Sequence, residues 1–240
     1  MTRALTDNNS LFNIGSVRPL GAYAFAGANG GGGQAAYGFG TAIAYANTNT
    51  NSYGIARLYY GLNVNAGFMG AFIQMSQTIS VAATLGFNQI FSNGVVRLTV
   101  GNPTTPALAA SNALSTKGFG VEFARSATTS DIRARLFAHD GTSYTNSAYT
   151  SDFSIGGGNR QIAVLVSKTA AGAISLHLGL PSSGNLAPPR ISATPSVSLN
   201  FPIAGSSDGP WIDLVAHSGN TNNAGDTVVI YYNGMVEVKD

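Results

Sequence analysis

The chain has 240 residues, a formal net charge of +2, no cysteine and only 9% charged residues. That length can bury an adequate core without staples. The missing thiols exclude disulfides and thiolate-bound metal, and the near-neutral balance argues against nucleic-acid binding, which needs clustered Lys and Arg against phosphates.

An ordinary soluble domain carries roughly 25% charged residues. Gly, Ser, Thr and Asn stand in for them here, so the surface repels neighbours weakly and suits packing beside other copies. Lys117, Lys168 and Lys239 are far apart in sequence and read as scattered solubilising charge.

The first residues, Met1-Thr2-Arg3-Ala4-Leu5-Thr6-Asp7-Asn8, lack the apolar stretch of a secretory signal. No run of about 18 apolar residues offers a membrane-spanning helix. An outer-membrane barrel would also alternate, but would bring a signal peptide and aromatic girdles. Asn8-Asn9-Ser10 matches a glycosylation acceptor and, with no signal, is read as chance. Residues 1–20 form a polar arm. From Ala22 to Ala46 the composition turns to Gly, Ala and aromatics around Gly30-Gly31-Gly32-Gly33.

In that segment Tyr37, Phe39, Thr41, Ile43 and Tyr45 alternate with a face made only of Gly and Ala. Period two predicts a strand, and Tyr23 and Phe25 before the glycines suggest an appended hairpin with a flexible tip. The polar tract 47–52 marks a boundary between an assembly segment, 1–52, and a β-sandwich, 53–240. The glycine run lacks the Lys-Ser/Thr of a phosphate loop and is not a G-x-G-x-x-G turn.

Beyond Tyr53, short strands follow one another between Gly, Asn, Pro and Ser clusters with no amphipathic helix, which predicts an all-β antiparallel sandwich. Phe119, Val121 and Phe123 share one face, and Ile132, Ala134, Leu136 and Ala138 share one on the next strand. A loop at 127–130 pairs Val121 with Leu136 and Phe123 with Ala134, and sets Glu122 opposite Arg135 on the outer face. Ile162–Ser167 and Ala173–Leu180 form the next pair, the first apolar on both sides and so central in its sheet. Pro188, Pro189, Pro195 and Pro202 make 181–210 loop and edge strand. Asn233-Gly234, between β-rich runs, predicts a closing hairpin.

Three stretches carry a resemblance: the pair Gly118–Phe123 with Ile132–Leu136, the hairpin of Ile162–Ser167 and Ala173–Leu180, and the closing Gly225–Asn233. In their order they resemble the concanavalin A-like, laminin-G-like jelly-roll superfamily. The Gly- and Asn-rich tone with an assembly-like N-terminal region also resembles bacteriophage virion proteins that display such modules. The resemblance implies two facing curved sheets and, often, glycan or protein binding on the concave face or rim. An architecture of this breadth does not fix a ligand.

The departures are specific. Metal-holding lectins of this superfamily use close acidic, Asn and His ligands, whereas Asp131, Asp140, Asp208, Asp213 and Asp226 are isolated here. Its glycosidases place paired carboxylates on alternate residues of one strand, about 5 Å apart in retaining enzymes, and neither Glu122 nor Asp213 has such a partner on its strand. There is no G-x-S-x-G elbow. His139-Asp140-Gly141 reads as the cap of a strand, and His177 as a surface or satisfied histidine. No metal site and no cofactor is expected.

One polar-aromatic constellation stands out. Trp211, Asp213 and His217 share a face of the stretch 211–217, where Trp could stack on a sugar and Asp or His bond its hydroxyls, against the plainer reading of a partly buried Trp near a sandwich edge.

An export-type surface without an export signal fits a particle assembled in a host cytoplasm and released by lysis, a virion. The expectation is a non-enzymatic virion structural protein, in a capsid decoration, tail or fibre, partnered by its own copies and neighbouring virion proteins. Its N-terminal region would dock by strand addition through Tyr37, Phe39, Ile43 and Tyr45. The alternatives are a lectin-like module for host-surface glycan and a polysaccharide-degrading enzyme.

Overall fold

The computed structural model describes residues 16–17, 21–28, 34–37, 41–47, 53–59, 77–87, 90, 94–102, 117–126, 128, 131–139, 144–154, 161–179, 197–200, 211–217 and 226–239. Among them there are strands and no helix. In chain order these are β1 (Ser16–Val17), β2 (Gly21–Ala28), β3 (Gln34–Tyr37), β4 (Thr41–Asn47) and β5 (Tyr53–Tyr59). Then come β6 (Thr78–Phe87), β7 (Val95–Asn102), β8 (Lys117–Arg125), β9 (Ile132–His139) and β10 (Tyr144–Asn146). The last are β11 (Gln161–Lys168), β12 (Ala173–Gly179), β13 (Val197–Asn200), β14 (Trp211–His217) and β15 (Asp226–Lys239).

Two antiparallel sheets result. The first runs β13-β12-β11-β6-β15-β4-β3, with β1 beside β15, and the second runs β10-β9-β8-β7-β14-β5-β2. The chain crosses between them repeatedly, as from β4 to β5 to β6 to β7, so neither sheet can form from one stretch of sequence.

Alternation builds the core. Phe119, Val121 and Phe123 of β8 and Ala134 and Leu136 of β9 are fully buried from one sheet, and Ile162, Val164, Val166, Ile174 and Leu176 from the other. Period-two strands put these residues on one side of each sheet, and stacking the two removes both apolar sides from water. The β8–β9 register is the expected one, with Val121 opposite Leu136, Phe123 opposite Ala134 and Glu122 opposite Arg135. The doubly apolar β11 lies inside its sheet, between β12 and β6.

The β11–β12 turn needs its glycine. Gly172 has φ 96°, in the left-handed region, and its N–H donates to the Thr169 carbonyl at 3.0 Å while Thr169 N–H donates to the Ala173 carbonyl at 2.9 Å.

Two expectations are corrected. The alternating run 37–45 is not one strand of an appended hairpin. It folds back on itself, with Tyr37 opposite Thr41 and Gln34 opposite Ala44, while β4 pairs with β15 in the first sheet and β2 with β5 in the second. A Gly/Ala pattern specifies a strand but carries too little side-chain shape to specify its neighbour. A cut after residue 52 would remove strands from both sheets. The Gly30–Gly33 run and Phe39 lie outside the described residues.

The second correction concerns Asn233-Gly234. Instead of turning, β15 continues as one strand along β6 from Thr78 to Phe87. A Cβ on Gly234 would stand 2.7 Å from the Ala82 carbonyl oxygen, the Ala83 Cβ and the Tyr232 hydroxyl. The glycine there serves close approach beneath a buried tyrosine.

The outward side of the first sheet includes a row of mostly short polar residues. Ser198, Ser175, Ser167, Ser80, Glu237 and Ser16 occupy one register row across neighbouring strands, and the Ser167 hydroxyl donates to Ser80 at 2.9 Å.

Lys168 departs from the expected surface role. It is fully buried at the end of β11, where its ammonium donates to the Gln77 carbonyl at 3.0 Å and the Thr169 carbonyl at 2.9 Å. Burial disfavours the charged form and lowers its pKa from 10.5 to about 8. Below about pH 8 both folded and unfolded chains hold this proton, and the burial cost is constant. Between the two values only the unfolded chain holds it, so stability rises with pH, by up to ~1.4 kcal/mol per pH unit. In urea titrations at pH 7, 8.5 and 10, the stability of Lys168→Met relative to wild type is therefore expected to fall above pH 8. A difference that does not change with pH would show that the lysine titrates normally.

Candidate functional site

The outward side of the second sheet carries the ionic chemistry of the described residues. On β7 the core takes Val96, Leu98 and Val100, leaving Val95, Arg97 and Thr99 on the other side. On β8 the same parity leaves Gly118, Gly120, Glu122 and Ala124, and on β9 it leaves Arg133, Arg135 and Phe137. Register then brings Arg97, Glu122 and Arg135 into one row across three strands.

The expected Glu122–Arg135 pair is present, but it is not on an exposed surface. Glu122 is 0% and Arg97 1% exposed. Arg97 Nε donates to Glu122 Oε2 at 2.7 Å, and Arg97 Nη2 meets the same oxygen. Arg135 Nε and Nη2 meet Oε1 at 2.8 and 2.7 Å, and the Tyr149 hydroxyl donates to Oε1 at 2.8 Å. Both carboxylate oxygens are thus charge-assisted acceptors. Arg97 also lies 5.6 Å from the Phe137 ring centroid. Gly120 makes room there, since a Cβ on it would fall 3.1 Å from Phe137 Cζ and 2.0 Å from the Leu98 carbonyl oxygen.

Tyr149 comes from a strap, residues 147–154, that runs along β9 after β10. The Ser147 and Thr150 hydroxyls accept from the Leu136 and Ala134 N–H groups at 3.0 Å. Their own N–H groups donate back to the Leu136 and Ala134 carbonyls, and Phe153 and Ile132 exchange a backbone pair. The Ser126 hydroxyl donates to Asp152 and ties the strap to the β8–β9 loop. So fastened, the strap stacks the Tyr149 ring on Arg133, at 4.2 Å, and on Arg135, at 4.4 Å. No periodicity in residues 147–154 marks this role. The recognisable signal was a lone glutamate in the otherwise apolar strand 118–123.

Burial by itself would raise the Glu122 pKa, but the Arg97 and Arg135 charges and the Tyr149 hydrogen bond outweigh it and hold the carboxyl below its ordinary value. Burial and the adjacent Glu122 charge push the Tyr149 phenol well above its own. An ionised carboxylate with both oxygens occupied has no proton to give, so Glu122 cannot serve as the general acid of a glycosidase.

The polar-aromatic stretch is strand β14. Ile212, Leu214 and Ala216 are fully buried in the core, so positions 211, 213, 215 and 217 fall on the outward side of the same sheet. The strand is interior, between β7 and β5, and not at a sandwich edge. Trp211 stands opposite Gly101, Asp213 opposite Thr99 and Arg57, and His217 opposite Val95 and Tyr53. The side chains of Trp211, Asp213 and His217 lie outside the described residues. Val215, among them in the series, is 1% exposed. Beside position 213, the Thr99 hydroxyl is buried with no hydrogen-bond partner.

Of the expected assembly residues, Tyr37 ends β3, while Ile43 and Tyr45 stand on β4 opposite Ile230 and Val228. Their side chains too lie outside the described residues. His139 ends β9 as expected of a strand cap, and His177 is half-buried on the outward side of β12. Among the described residues no group of three or more His, Cys, Asp or Glu could hold a metal ion.

Removing the Glu122 charge strands two guanidiniums. Glu122→Gln is expected to lower stability by ~3–5 kcal/mol at pH 7, read from the urea midpoint. Glu122 has a depressed folded pKa, so its contribution is complete above its ordinary value of 4.5 and is lost as pH falls through the folded value. The gap between wild type and variant should therefore narrow in acid. A gap below ~1 kcal/mol at pH 7 would contradict the buried ion pair.

No protein-family model matches the sequence, and no curated protein matches it. In three dimensions the chain is similar to the carbohydrate recognition domain of Emp47p, with a TM-score of 0.57 and 11% identity over 100% of this chain and 95% of that one. It is similar to a legume lectin-like domain from Entamoeba histolytica, at 0.56 and 8% over 97% of this chain and 100% of that one. It is also similar to the CBM2 module of the evolved Dit of Lactobacillus casei BL23 phage J-1, at 0.51 and 10% over 94% of this chain and 97% of that one. At these identities the likeness is one of fold: the chain is an all-β, antiparallel, two-sheet jelly-roll sandwich, and its neighbours in fold are lectin-like domains.

Proposed function

We propose that this chain is a non-enzymatic carbohydrate-binding module that recognises sugar on the outward side of its second sheet. One observation carries the reading. The chain shares its fold along nearly its whole length with the Emp47p carbohydrate recognition domain and a legume lectin-like domain, and its own β14 sets Trp211, Asp213 and His217 at alternate positions of an interior strand. Indole stacking on a sugar ring, with carboxylate and imidazole bonding its hydroxyls, is the chemistry those residues supply. A glycan array probed with the full chain, then with Trp211→Ala, tests it. Binding lost by about tenfold or more in a folded variant is the expected result; undiminished binding would remove the patch.

The setting we propose is a bacteriophage virion, with the module displayed on the particle after assembly in the host cytoplasm. The low charge content favours close packing of copies, and the fold likeness to a CBM2 module of a phage Dit supports the same setting. Assembly through the N-terminal region takes a definite form here, because β3 is the last strand of the first sheet among the described residues. A strand from a neighbouring subunit would add to β3 by backbone hydrogen bonds. Light scattering of the purified chain should give a mass above that of a monomer, and Ala36→Pro, which removes a β3 N–H, should lower it. A monomer at tens of micromolar would end the self-assembly reading.

A further inference from the structure

Arg133 and Arg135 stack on the same ring but differ in what meets their in-plane N–H groups. Arg135, with its Nε and Nη2, holds Glu122 Oε1. Arg133 lies 4.2 Å over Tyr149, and its Nε is buried with no hydrogen-bond partner. Among the described residues it makes no ion pair. Stacking uses the face of a guanidinium and leaves its N–H edges for an acceptor in the plane.

No acid nearby supplies that acceptor: among the described residues no ion pair joins Arg133 to Glu122, to Asp152 or to Asp131, two residues before it. The two Glu122 oxygens already receive Arg97, Arg135 and Tyr149, and Asp152 on the strap accepts from Ser126. Arg133 Nε is enclosed, but the residue is half-buried rather than sealed, so a ligand approaches along the Nη edge of the guanidinium. Its register row continues across the sheet through Ala124 and Val95 to position 217 on β14. Three strand spacings, roughly 14 Å, therefore separate the unmatched cation from the proposed sugar-binding strand.

We infer that Arg133, stacked on Tyr149, is an anion-binding subsite and that the glycan taken by this side of the sheet is acidic. A carboxylate or sulfate ester of the sugar occupies the plane of the Arg133 guanidinium, at its Nη edge. A planar fork of donors suits either anion bidentately. The inference rests on the carbohydrate-binding reading and narrows its ligand class.

Calorimetric titrations of the full chain with oligogalacturonate, with its methyl ester and with a sulfated dextran oligosaccharide separate carboxylate, neutral and sulfate chemistry. An acidic probe should bind about tenfold or more tightly than the ester, and Arg133→Gln should erase most of that preference. Arg125→Gln, which removes an exposed cation from the same hairpin, should change affinity less than about twofold. If Arg133→Gln does not fold, Arg133→Lys keeps the charge without the fork and should still weaken carboxylate binding several-fold. Equal losses in the Arg133 and Arg125 variants would mean diffuse attraction and overturn the subsite. Unchanged binding in Arg133→Gln, or an ester bound as well as the acid, would overturn it too. Neutral glycan binding that Trp211→Ala abolishes, without acid preference, would leave the carbohydrate reading standing and remove only this one. Acid binding that needs Arg133 but not Trp211 would do the reverse to the β14 patch.

Discussion

The carboxylate of Glu122 is the contact on which the second sheet is organised. It draws a guanidinium from β7 and another from β9, and recruits the strap through Tyr149. Three strands and an irregular segment are thereby referred to one pair of oxygen atoms. Withdrawing such charges from water is costly, and a buried ion pair is weak evidence for stability in itself. It is stronger evidence for specificity, because a one-residue slip of β8 against either neighbour would leave charge buried alone.

This arrangement changes the meaning of an ion-poor composition. The chain spends few charges overall, yet three of its arginines and a glutamate meet on one side of one sheet. The opposite sheet turns Ser175, Ser167 and Ser80 outward in one row. The two outer surfaces thus differ in kind, one carrying a buried, partly roofed ion cluster and the other a row of hydroxyls.

How much of this was legible in the sequence depended on whether two independent patterns agreed. The β8–β9 register was readable because apolar alternation and an opposed Glu–Arg pair gave the same answer. Arg97 and Tyr149 were not, since each reaches Glu122 from a distant stretch with no periodic link to it. For the same reason the roofed state of that face was invisible. Asn233-Gly234 misled because a glycine that permits a tight turn also permits tight packing, and only the neighbouring strand reveals which is needed. The N-terminal strands were recognisable as strands, but a Gly/Ala face does not say whom it will sit beside. Lys168 shows the converse failure, a residue type that is nearly always outside but is held here by two carbonyls.

The hydroxyls of Ser147 and Thr150 occupy places on β9 that another backbone would otherwise fill. A further strand cannot pair with β9 along that stretch without first prying off the strap. The backbone groups that an edge strand would offer to another chain are thus answered from within the molecule.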